Sequence, residues 1–77
     1  MTIAQLRIQA LELEAEADAR LRVASQEFQE VRHKPRTAEW LRASDKLIFW
    51  RDTRNGFRMA ADALLGLSMI EEGGDWN

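Results

Sequence analysis

Pro35, the only proline, divides two long stretches in which apolar and small residues recur with helical spacing. In the first, Ile3, Leu6, Ala10, Leu13, Ala17, Leu21, Ala24, Phe28 and Val31 follow at intervals of three or four. That is the period of one face of an α-helix. No glycine interrupts it. Thr2 and Gln5 stand three apart, as in a capping box, and Met1 and Leu6 hold the two positions of a hydrophobic staple. A first helix is expected over about residues 3–33. Pro35 biases Lys34 away from helical backbone, so a turn is expected over 34–36. Thr37 then caps a second helix, with the negative charge of Glu39 in its first turn where the dipole favours it.

The second stretch carries Trp40, Ala43, Leu47, Trp50, Arg54, Phe57, Ala61, Leu64 and Ser68, flanked by Leu41, Ile48 and Leu65. Gly73-Gly74 would end it and leave residues 73–77, with Asp75 and Trp76, as a tail. Asn55-Gly56 is a dipeptide that often marks a turn. A break there gives three helices; otherwise one helix runs over about residues 38–72. Continuity is the better expectation. The periodicity passes through Asn55-Gly56 without slipping. The two helices then match in length, and an interior glycine costs only about 1 kcal/mol. A kink at Gly56 is compatible with this. The expected fold is all-α, two long antiparallel helices in a hairpin.

Ile3, Ala10, Ala17, Ala24 and Val31 recur every seven residues, and the small central members let a facing backbone approach. A chain of 77 residues is short for a full core. It has no cysteine and one histidine, so neither disulfides nor a structural zinc can reinforce it. Each helix also carries a stripe wider than one partner covers. A homodimer forming a four-helix bundle answers this. Its core would use Ala10, Ala17, Leu21, Ala24, Phe28, Leu47, Trp50, Phe57, Ala61 and Leu64.

Several function classes drop out. No apolar run approaches the roughly 20 residues of a bilayer span, and no signal-type block opens the chain. With no cysteine, a cytoplasmic location is expected. At 45% hydrophobic residues, the chain is not of disordered composition. No triad signature surrounds Ser25, Ser44 or Ser68, and no glycine-rich loop precedes a helix. No enzymatic activity and no cofactor are expected. Glu30-Val31-Arg32-His33 has the Glu-x-x-His spacing of di-iron bundles. Arg32, Lys34 and Arg36 beside it would repel a cation, so no metal site is expected.

Charge is unevenly placed. Residues 1–18 and 60–77 hold one cation against eight carboxylates, net −7, while residues 19–59 hold ten cations and five carboxylates, net +5. A hairpin would have a basic bend half and an acidic open half, a dipole that can steer a charged partner. The bland explanation is a solvated surface with i,i+4 pairs such as Glu16 with Arg20 and Asp18 with Arg22. The segment Lys46 to Arg54 joins Phe49 and Trp50 to several charges, and Arg51, Arg54 and Arg58 fall in line at helical spacing. Tryptophan and arginine are the types most enriched at binding hot spots. The competing explanation puts Trp50 in the dimer core and pairs the arginines with acids of the first helix. Trp40 either packs on Phe28 or Val31 or stays partly open beside Arg36. The expected partner-binding residues are Arg36, Trp40, Phe49, Arg51, Arg54 and Arg58.

A helix to His33, a bend at Pro35 and a helix from Thr37 with Trp40 and nearby arginines resemble small phage-encoded host-takeover proteins. Quorum-sensing anti-activators and anti-defence inhibitors are among them. The resemblance is one of architecture, and no residue role is transferred. It implies inhibition of a partner protein, such as a transcription regulator or an ATPase, by covering its surface. The alternative is a nucleic-acid-associated regulator that follows phosphates with its basic bend half. Against that stand the acidic open half and the lack of a short helix-turn-helix pattern.

Overall fold

The computed structural model describes residues 1–72, so the expected stop at Gly73-Gly74 and the 73–77 tail with Trp76 lie outside the described residues. At the start of the chain, Gln5 N–H donates to Thr2 Oγ1 at 3.1 Å and Thr2 N–H donates to Gln5 Oε1 at 2.8 Å. Two amides that a helix start leaves orphaned are thereby satisfied. The expected staple adds nothing, because Met1 is 79% exposed. From this cap α1 runs over Ile3–Val31.

Helix α1 stops two residues short of the expected His33. Lys34 N–H donates to Val31 O at 2.9 Å, a tighter i,i−3 bond that ends the α-helical ladder before Pro35. Thr37 N–H and Thr37 Oγ1 both donate to Lys34 O, at 3.3 and 2.9 Å. The turn is thus wider than the expected 34–36. Its reversal is completed by Arg36 at φ 68°, a left-handed backbone that side chains other than glycine rarely take. Thr37 Oγ1 accepts from Trp40 N–H at 3.2 Å and caps α2, Ala38–Glu72, with Glu39 in its first turn.

Helix α2 is continuous through Asn55 and Gly56. The three-helix alternative is not what forms, because the seam against α1 keeps its phase there. Asp18 pairs with Arg54 and Glu14 with Arg58, so four residues back along α1 match four residues forward along α2. The helices are therefore antiparallel and form a hairpin rod with extents of 59 × 19 × 15 Å.

The seam is lined by small residues. Ala10, Ala17, Ala24, Ala43 and Ala61 are the buried hydrophobic residues among those described. On α1 the remaining inward positions differ from the expected ones. Leu6 and Leu13 are 40% and 43% exposed, whereas Arg7 and Glu14 are only partly exposed. From Ile3 to Ala17 the inward steps are four then three, not three then four. The seam takes Arg7 and Glu14 and turns two leucines outward.

Candidate interaction surfaces

The residues expected to bind a partner do not share one surface. Arg36 is exposed at the tip of the bend. Trp40, one turn into α2, is half-buried on Phe28, with ring centroids 5.8 Å apart and tilted by 53°. It is thus a brace between the helices just inside the turn. Phe49 is 58% exposed and meets the Trp50 ring edge-on, at 4.9 Å and 82°. Phe49 and Arg51 are two residues apart on a helix, about 200° around it, so they point to opposite sides.

The arginine line divides by what each member touches. Arg54 Nη1 lies 3.3 Å from Asp18 Oδ1 on α1, and its Nη2 donates to Asn55 Oδ1 at 3.2 Å. Arg58 Nη1 lies 3.6 Å from Glu14 Oε1 of α1 and its Nε 3.6 Å from Asp62. These two cations clamp the hairpin, the competing explanation of the line. Arg51 instead reaches only its chain neighbour Asp52, at 3.3 Å, and is open to solvent. Asp18 also holds Arg22 at 3.0 Å, which fixes the carboxylate for Arg54. Pairs this exposed contribute little each, about 0.2–1 kcal/mol, and their effect is on register.

The ten residues expected in a bundle core fall into two groups. Ala10, Ala17, Ala24 and Ala61 are already buried within one hairpin. Leu21, Phe28, Leu47, Trp50, Phe57 and Leu64 are half-buried. Ala43, on the expected seam, is buried as well.

The open sides of Trp50 and Phe57 belong to a groove that sequence reasoning missed. Leu13, Ala17, Thr53 and Phe57 line one part of it, and Val23, Ala24, Glu27 and Lys46 the next. Glu16, Arg20 and Trp50 are common to both. It continues toward the bend past Glu27 and Lys46 to Val31 and Ala43. Two polar links hold its walls. Arg20 lies over the Trp50 ring, 5.1 Å from the centroid, as a cation–π contact. Lys46 Nζ lies 3.6 Å from Glu27 Oε2. Glu27 and Lys46 are one turn-pair beyond Arg20 and Thr53 on the same helix flanks. The signal for this side was therefore present as the stripe Leu6, Leu13, Arg20, Glu27 at sevenfold spacing.

Among the described residues no three His, Cys, Asp or Glu side chains gather where a metal could be held. No helix there is long and apolar enough to cross a membrane. Compared with family models, with curated proteins and with solved structures, the chain matches none.

Proposed function

We propose that the chain is a small non-enzymatic interaction module of the cytoplasm, acting as a homodimer, that binds another protein and inhibits it by covering its surface. The observation that carries this reading is the apolar and cationic side chains left outside a capped hairpin. Phe49 is 58% exposed, Leu41 50% and Ile48 44%. Preformed helices lose little entropy when such side chains are covered. The bend adds a second support. Arg36 keeps a long cationic side chain where the backbone favours glycine. A strained residue at an exposed tip points to a use for its side chain.

Phe49→Asp and Arg51→Glu test the two sides of α2 separately, because neither residue clamps the hairpin. Each should leave the circular dichroism spectrum unchanged. Loss of target capture by one of them, in pull-downs from nuclease-treated lysate, identifies the contact side. Retention of capture by Phe49→Asp, Arg51→Glu and Arg36→Glu alike would exclude both sides of α2 and the bend as the contact. A nucleic-acid role has one specific support. Among the described residues no carboxylate lies within 4.0 Å of Arg32, Lys34, Arg36 or Arg42. Binding of that kind to random duplex would weaken steeply as salt rises.

A further inference from the structure

The two sides of the hairpin differ. One is closed by the pairs Arg54–Asp18 and Arg58–Glu14. The other carries the groove, with Leu13 turned into it and the half-buried Trp50 and Phe57 along its floor. We propose that a second copy of the chain covers this groove, laid antiparallel so that the bend of each hairpin rests on the open end of the other. This deepens the dimer part of the reading above and rests on it.

Three observations converge. The first is burial. A single hairpin buries alanines and leaves Trp50 and Phe57 half-buried and Leu13 and Val23 exposed along the groove. The second is symmetry of the groove lining. Leu13 and Val23, and Glu16 and Arg20, are two residue pairs each centred on Asp18. Trp50 and Phe57 are centred between Thr53 and Arg54. Asp18 and Arg54 are held level with one another, at 3.3 Å. A twofold axis crossing the rod at that level therefore sets Leu13 against the second copy's Val23, and Trp50 against its Phe57. It also sets Arg20 against its Glu16. An isologous interface requires such self-complementarity.

The third observation is charge. Residues 19–59 hold ten cations and five carboxylates, and residues 1–18 and 60–72 of the open half hold Arg7 against seven carboxylates. The antiparallel arrangement places the basic half on the acidic half. Aligning the two bends would stack like on like, which charged interfaces are built to avoid. In the proposed dimer the two bends, each with Arg36, stand at opposite ends of the rod.

Sedimentation equilibrium on the full chain should give twice the 8.9 kDa of one chain. The dissociation constant should rise several-fold between about 0.05 and 0.5 M salt, because screening weakens opposite-charge contact. Orientation is tested by cross-linking, for which the absence of native cysteine is convenient. Leu6 and Glu30 are also centred on Asp18, so a Leu6→Cys/Glu30→Cys chain treated with a short bismaleimide should yield covalent dimers. Within one chain those positions lie about 36 Å apart, beyond its reach. Glu30→Cys alone should yield none.

A monomer at all concentrations overturns the dimer and the arrangement together. A dimer that the double variant fails to cross-link, or that salt strengthens, overturns the antiparallel arrangement and leaves a dimer standing. Loss of target capture without loss of the dimer bears on the other surface alone.

Discussion

Single residues show how narrow the tolerances are. Ala17 is 2% exposed and lies midway along the seam. Ala17→Glu places a carboxylate there with no cation built to meet it, and an unpaired buried charge destabilises by about 3–5 kcal/mol. A two-helix chain should not tolerate that, so its helical ellipticity and cooperative melt should both be lost. A variant that melts like the parent would mean that the alanine seam is not what joins the helices. Arg36 makes the opposite case. Its left-handed backbone costs about 1–2 kcal/mol in a residue with a Cβ, and glycine there gives back part of that in unfolded-state entropy. Arg36→Gly should therefore stabilise the hairpin by roughly 0.5–1 kcal/mol, read as a higher melting temperature. If target capture falls in the same variant, the strain is tied to use of the side chain. The candidate site was only partly legible at this scale. Exposure of Phe49 follows from its place off the seam. The division of Arg51 from Arg54 and Arg58 does not. It depends on which α1 carboxylate stands level with each arginine, a fact of tertiary register that spacing on one helix does not contain.

At the scale of elements, the caps and the period were legible because each is a local interaction. Thr2 with Gln5 and Thr37 with the Trp40 amide are closed within four residues, and Pro35 acts on its own neighbours. The flank of α1 was not. Steps of three then four and of four then three both satisfy a helical period from Ile3 to Ala17, and choosing by hydrophobicity selects Leu6 and Leu13. The seam selects Arg7 and Glu14 instead, because the other apolar side of α1 has the groove to line. Helix α2 carries one element-scale test. A Cβ built at Gly56 meets nothing within 4 Å, and its backbone is that of an ordinary helix. Neither a close approach nor a positive φ requires glycine there. Gly56→Ala should raise stability by about 1 kcal/mol through helix propensity, measured in urea melts with an unchanged slope. A destabilised variant, or one with an altered slope, would point to a hinge at this position.

The whole molecule is a rod 59 Å long and 15 Å thin at its narrowest extent, and such a shape has little interior to offer. Most half-buried apolar side chains lie at its surface as well as in its seam, so folding and self-association draw on the same residues. If Trp50, Phe57 and Leu13 reach full burial only in the dimer, unfolding and dissociation form one transition, and its midpoint must depend on protein concentration. Each tenfold dilution removes about 1.4 kcal/mol per dimer. Two chains of this length unfold with an entropy of order 0.3 kcal/mol/K at about 2.1 cal/mol/K per residue. The melting temperature should then fall by about 4 °C per tenfold dilution, followed by circular dichroism over two decades of concentration. A midpoint that does not move would mean that the alanine seam and its clamps hold one hairpin without help. The groove would then be a surface presented by a folded monomer, and the aromatic residues along it would be open to any partner, not reserved for a second copy. Since Trp50 lines the groove under Arg20, its fluorescence, isolated by Trp40→Phe and Trp76→Phe, separates these cases without a label. A blue shift on raising the concentration, at constant helicity, is association of preformed hairpins. A shift that tracks helicity is folding through the dimer.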